Sequence, residues 1–272
     1  MIYNMPEYWL MKKAEPIVPI GPYLTFSSPS SFTLKVNDAT KHWDGTLEYS
    51  TDASAWSTWD GTTTLSSATN GSDNVLYLRG AGNTVITGSS SNYRWILTGS
   101  DIACIGNIET LLDHAIVESG VHPTMATYCY QSMFRYCTSL TQAPALPATT
   151  LTDYCYNGMF YDCISLIKTP VLPATTLSGY CYQEMFKGCT SLIHPPVLPA
   201  ITLADSCYMS MFHSCTNLTK APSLPATTLA DYCYHFMFGS CTSLTQAPDL
   251  PATILAEGCY SYMFYNCTSL KL

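Results

Sequence analysis

Charge is scarce in this chain. Only 11% of the 272 residues are Asp, Glu, Lys or Arg, well under the roughly 25% usual for soluble domains. Ser, Thr, Asn, Tyr and Gly must therefore cover much of the surface, as on many extracellular proteins. Basic residues are scarcer still, with 11 Lys plus Arg against 19 Asp plus Glu and no basic run. Nucleic acid needs clustered cations to displace its counterions, so it is excluded as a partner, and a polybasic membrane contact fails for the same reason. No stretch approaches the ~20 apolar residues of a membrane-crossing helix, so no membrane insertion is expected. The opening segment, Met1 to Ile20, has no apolar h-region and reads as an N-terminal arm without a secretory signal. Cysteines spaced for zinc are missing as well: the recurring interval is C-x7-C, not the close C-x2–4-C of structural sites.

Internal repetition is present instead. Cysteines fall at 129, 155, 181, 207, 233 and 259, and again at 137, 163, 189, 215, 241 and 267, each series stepping by 26 residues. Met133–Phe134 recurs in the same register as far as Met263–Phe264, and the unit reads C-Y-x-x-M-F-x-x-C-x-x-L-x-x-x-P-x-L-P-A-x-x-L. At about 100° per residue, Cys129, Tyr130, Met133, Phe134, Cys137 and Leu140 share an arc of about 140°. Gln131, Ser132 and Arg135 fall on the other side, with Tyr136 just outside the edge. The spacing therefore predicts an amphipathic helical turn facing a shared core of Cys129, Met133, Phe134, Cys137, Leu140 and Leu146. The Leu140–Leu146 segment reads as a short strand that must end near Ala143, because Pro144 and Pro147 cannot donate to a ladder. Stacked units would give an α/β leucine-rich-repeat solenoid over 123–272, with a parallel sheet on one face and six 26-residue repeats, the last incomplete.

The M-F-x-x-C-T-S-L core joined to L-P-A-T-T-L resembles the BspA-like leucine-rich repeats of bacterial surface proteins. The resemblance covers residues 123–272, with departures at Ile164 and Asn217 and a unit longer than the common form. It implies surface display and adhesion to host components, without a catalytic site.

The first half differs. Tyr23–Phe26, Ser31–Val36, Thr46–Tyr49, Thr62–Leu65, Val75–Leu78, Thr84–Thr87 and Tyr93–Leu97 are β-prone runs separated by turn residues, which suggests an all-β, immunoglobulin-like sandwich over 21–99. Glu48–Asp52 followed by Trp56–Trp59 reads as a hairpin within it. Ile108, Leu111, Leu112 and Ala115 carry helical spacing, so 100–122 is expected to form a helical cap on the first repeat. The chain stops at Leu272 within a unit, and this uncapped repeat is a possible partner contact.

Chemistry-bearing residues assemble into no reactive set. Twelve cysteines recur in one setting, whereas a nucleophile needs a singular one, and Cys104 lies among Ile102 and Ile105. Cysteines eight apart on a helix sit about 12 Å apart, too far for a disulfide within a unit; ladder disulfides between adjacent units need a favourable side-chain direction, and buried thiols packed as small hydrophobes are the expectation. L-P-A-T-T at Leu146–Thr150 lacks the following glycine and apolar tail of a sortase signal. No catalytic residue, metal or cofactor is expected. The variable positions Thr141, Gln142, Lys168, His194 and Lys220, with the off-arc aromatics Tyr136, Tyr161 and Tyr265, are candidate partner-binding residues. The expected function is non-enzymatic adhesion or recognition of a host protein or glycan at the cell surface. The alternative is a structural or receptor-binding component of a phage or other extracellular particle, whose proteins leave the cell by lysis without a signal.

Overall fold

The computed structural model describes residues 23–90 and 92–271; the N-terminal arm expected at 1–20 lies outside them. The first half contains nine strands in chain order, β1 (Leu24–Ser28), β2 (Thr33–Val36), β3 (Thr46–Ser50), β4 (Ser57–Trp59), β5 (Leu65–Ser66), β6 (Ala68–Asn70), β7 (Asp73–Ala81), β8 (Trp95–Thr98) and β9 (Ile102–Ile105). Helix α1 (Thr110–Glu118) and strand β10 (Leu140–Gln142) follow. They form two open sheets. A seven-stranded sheet runs β10-β9-β1-β7-β3-β4 with β6 on β7, and a three-stranded sheet runs β5-β2-β8. All pairings are antiparallel except β9 with β10. The expected hairpin is β3–β4, with Leu47 opposite Trp59. Burial alternates along β2 and β8, so each strand turns one apolar side inward. Indoles from both sheets meet there, Trp59 edge-on to Trp95 with ring centroids 5.6 Å apart.

Two segments depart from the expectation. Thr84–Thr87 is no strand, and Ile102–Ile105, placed in the helical cap by its sequence, is strand β9. Helix α1 is interrupted at Asp113 (φ −157°, ψ 105°), whose Oδ1 accepts from Ile116 N at 3.1 Å and so caps the second half. The helix lies so close on β7 that a Cβ added at Gly80 would stand 1.7 Å from Leu111 O.

The repeats require the largest correction. The α/β leucine-rich-repeat solenoid is not what forms: α1 is the single helix among the described residues, and it precedes the repeats. Among the described residues the regular structure is mostly sheet with that one helix, and the C-Y-x-x-M-F-x-x-C segments are runs of turns up to the residue before the second cysteine. In every repeat the residues at the positions of Tyr128, Ser132 and Tyr136 adopt φ between 52° and 74°, the left-handed region, at intervals of four. Backbone donors alternate accordingly. Gln131, Met133, Arg135 and Cys137 donate three residues back, at 2.9–3.3 Å, to Tyr128, Tyr130, Ser132 and Phe134. Tyr128, Tyr130, Ser132, Phe134 and Tyr136 donate instead to the next repeat, at Asp153, Cys155, Asn157, Met159 and Tyr161, at 2.8–3.1 Å. Every N–H from Tyr130 to Cys137 is thereby paired.

Side chains follow this four-residue period. Cys129, Met133 and Cys137 form one buried column and Tyr130 and Phe134 the next. Tyr130, Tyr156, Tyr182, Tyr208, Tyr234 and Tyr260 stack at 5.6–5.9 Å between centroids, and the phenylalanines from Phe134 to Phe264 stack at 5.6–5.8 Å. Gln131 and Ser132, on the outer arc of a helix, are buried. A four-residue turn advances about 90° per residue and a helix about 100°, so a nine-residue pattern of apolar pairs fits both.

No parallel sheet extends through the repeats either. After β10, parallel contact shrinks to isolated bridges such as Gln142 with Lys168, Thr176 with Thr202 and Thr228 with Ile254. Prolines flank each bridge, Pro144 and Pro170 after the first and Pro173, Pro199, Pro225 and Pro251 before the others, and remove donors a ladder would need.

Candidate functional site

Each repeat presents two kinds of variable surface. One belongs to the bridged segment, where Gln142, Lys168, His194 and Lys220 occupy the same position 26 residues apart. Lys168, His194 and Lys220 are exposed, while Gln142 and Thr141 are half-buried, with Thr141 Oγ1 donating to Ile102 O at 3.2 Å. Ile167, Val171, Ile193 and Val197 are exposed in the same segment.

The other surface is the edge of the turn runs, and the candidate tyrosines lie here. Tyr136 is 46% exposed and Tyr265 58%, whereas Tyr161 is half-buried. Tyr136 and Tyr161 meet edge to face, centroids 5.7 Å apart. The structure adds residues that the sequence reading passed over. The Arg135 guanidinium lies 3.8 Å from the centroid of Tyr161 and 5.0 Å from that of Tyr136, and Arg94 lies 5.3 Å from Tyr136. Lys187 sits 5.2 Å from Tyr161 and pairs with Glu184 at 2.6 Å. Farther along, Phe236 stacks on Tyr262 at 4.8 Å, and Tyr265 stands edge-on to both. The signal for this row was available: Arg135, Tyr161, Lys187, His213 and Tyr265 share one position of the 26-residue register. A helical reading disperses that position among solvated ones. Tyr136, Tyr161 and Tyr265 are therefore gathered into one edge, and Thr141, Gln142, Lys168, His194 and Lys220 are not part of it.

Titration behaviour along the edge follows burial. Partial burial pushes the Asp162 carboxyl up, with Arg135 and Lys187 opposing it. Burial lowers His213 and His235, which are half-buried. The thiols are deeper. Cys137 and Cys155 are pushed up to about 12 by burial, so they remain protonated and weakly nucleophilic. The second series donates its S–H groups to backbone carbonyls, Cys163 to Phe134 O at 3.0 Å and Cys189 to Phe160 O at 3.1 Å. All thirteen cysteines are free.

A recess of about 330 Å³ opens between α1 and the first repeats, lined by Glu109, His122, Thr124, Met125, Thr149 and Thr152 among others. Its buried charge, Glu109, is matched by His122 Nδ1 at 2.8 Å. Among the described residues no cluster of His, Cys, Asp and Glu could hold a metal ion, and no helix is long and apolar enough to cross a membrane.

No family model, curated protein or solved structure matches the chain. The resemblance to BspA-like repeats thus rests on the M-F-x-x-C-T-S-L and L-P-A-T-T-L motifs.

Proposed function

We propose that this chain is a non-enzymatic recognition protein, displayed outside the cell, that binds a protein or glycan along the turn edge of its repeats. The observation that supports it most is the row of aromatic and cationic side chains on that edge. Tyr262 is 62% exposed, Tyr265 58% and Tyr136 46%, in positions that change from repeat to repeat while the columns beneath them do not. A fixed backbone ladder below a variable aromatic edge separates scaffold from contact surface, and aromatic and Arg side chains are the residue types most enriched where binding energy concentrates. The protonated, buried thiols support a binding role over a catalytic one.

The test is a screen of the full chain against glycans and extracellular matrix proteins, repeated with Tyr136, Tyr161, Tyr262 and Tyr265 each exchanged for Ser. A ligand whose affinity falls on those exchanges, and not on exchange of Lys168 and His194, supports the reading. A ligand indifferent to all four tyrosines refutes it. Antibody labelling of intact against lysed cells tests the location separately.

A further inference from the structure

The chain has three arginines, Arg79, Arg94 and Arg135. Arg79 lies over the Trp56 ring at 4.1 Å and is neutralised by Glu48 at 2.7 Å. Arg94 and Arg135 meet at one ring, their guanidinium carbons 5.3 and 5.0 Å from the centroid of Tyr136, while Arg135 rests closer on Tyr161 at 3.8 Å and donates from Nη2 to Tyr136 Oη at 3.3 Å. Neither is in ion-pair contact with a carboxylate among the described residues. Asp162 is the nearby acid that tempers Arg135, and the neighbouring Lys187 is tied to Glu184.

A guanidinium held against an aromatic ring is restrained in orientation while its N–H edge stays open to a planar anion. Two such groups on one tyrosine make a preorganised receptor for carboxylate, which a guanidinium fork binds with two parallel hydrogen bonds. The surroundings indicate what carries the carboxylate. The tyrosines Tyr136 and Tyr161 bring hydroxyl groups beside the pair, with Asp162 and the ion-paired Lys187 next along the edge. Most exposed aliphatic side chains that could anchor a peptide, Ile167, Val171, Ile193 and Val197, belong to the bridged segment, with Ile164 alone close to the end of a turn run.

We propose that Arg94, Arg135 and Tyr136 form a subsite for the carboxylate of a uronic-acid sugar in a glycan chain. This rests on the recognition reading above and names the chemistry of its ligand.

The test uses the full chain and four probes: oligogalacturonate, hyaluronan oligosaccharides, the methyl ester of oligogalacturonate, and poly-L-glutamate. The expected result is binding to at least one uronate probe that weakens as NaCl rises and is lost on esterification. Arg94→Gln and Arg135→Gln should each weaken it by about tenfold, the worth of a charged hydrogen bond. Arg135→Lys, which keeps charge and loses the fork, should fall between. Thermal melts of the variants confirm that they fold. Binding to neither uronate overturns the proposal, as does affinity unchanged in the double variant. Poly-L-glutamate binding as tightly as the uronates overturns the sugar and leaves an acidic peptide. A chain that binds other ligands through its tyrosine edge yet ignores both uronates keeps the recognition reading and loses this one.

Discussion

Substituting Gly158 by Ala separates a turn stack from a helix by sign. In a helix interior, Gly is less favourable than Ala by about 0.8–1.0 kcal/mol, so the change would stabilise. In the structure Gly158 has φ of 59°, in the left-handed region. There an L-residue costs about 1–2 kcal/mol, partly offset by the greater freedom glycine has in the unfolded chain. The expected net effect is a loss of about 1 kcal/mol. Steric conflict does not confuse the result, because the nearest atoms to an added Cβ are Ser132 Oγ at 3.4 Å and Arg135 Nη1 at 3.6 Å, ordinary contact distances. For a protein of this size 1 kcal/mol corresponds to roughly 2–4 °C in the melting midpoint. Differential scanning calorimetry or thermal circular dichroism of Gly158→Ala should therefore show the midpoint lowered by about that amount. Ser240→Gly, at φ 59°, should move it upward. A raised midpoint for Gly158→Ala would refute the alternating turn ladder outright.

Tyr156 Oη is buried without a partner, while Tyr130 Oη donates to Ile108 O at 3.2 Å. Tyr156→Phe should accordingly be neutral or stabilising, and Tyr130→Phe should cost about 1 kcal/mol, both read from denaturant midpoints. Iodoacetamide with mass spectrometry on the native chain should modify Cys267, which is half-buried, ahead of the twelve buried thiols; uniform labelling would contradict the packed columns. Stability should depend on pH in two opposed ways. Burial alone would push the Asp44 carboxyl up, but hydrogen bonds from Thr84 and Val85 outweigh it and hold it low. Its stabilisation is therefore present above its unfolded value near 3.9 and lost as pH falls through the folded value. Asp162, raised by burial, works the other way, and its ionisation destabilises as pH rises through its folded value. Asp44→Asn should then lower the melting midpoint at pH 7 and Asp162→Asn raise it, with both differences shrinking below about pH 3.

The sequence reveals the period of 26 and the identity of the core, because burial imposes both on residue type. Cys129, Met133, Phe134, Cys137, Leu140 and Leu146 are all buried, as the repeated arc requires. It does not reveal the backbone. Nine residues of apolar pairs satisfy a turn of four residues as well as one of 3.6. The usual marker of left-handed positions, glycine or asparagine, is diluted here by Tyr128, Glu184, Phe236 and several serines. Those residues are held in place by hydrogen bonds to the next repeat, information that lies 25 residues away and not in the local pattern. The β-prone run Thr84–Thr87 misleads for a related reason: Thr84 and Val85 donate to the Asp44 carboxylate and Ile86 and Thr87 to Cys129 of the first repeat, none to a neighbouring strand.

That diversion connects the fold to the site. A stack of turns leaves the carbonyls of its first repeat without the donors a preceding repeat would supply. The β-sheet half supplies them: Ile86 N donates to Cys129 O at 2.8 Å, Thr87 Oγ1 to Gln131 O at 2.8 Å, and Trp95 N to Met133 O at 2.8 Å. Cys137 Sγ donates to Trp95 O at 3.2 Å, as its later counterparts donate to the phenylalanine carbonyls of preceding repeats. Trp95 therefore stands in the position of a repeat that precedes the first, and its indole meets Phe134 edge to face at 6.2 Å. The residue before it is Arg94, and the residues two and three after Met133 are Arg135 and Tyr136. Once Trp95 N is bonded to Met133 O, the two arginines are brought to the same tyrosine by chain register alone. The hydrogen bonds that close the end of the stack thus also place the cationic pair on its edge.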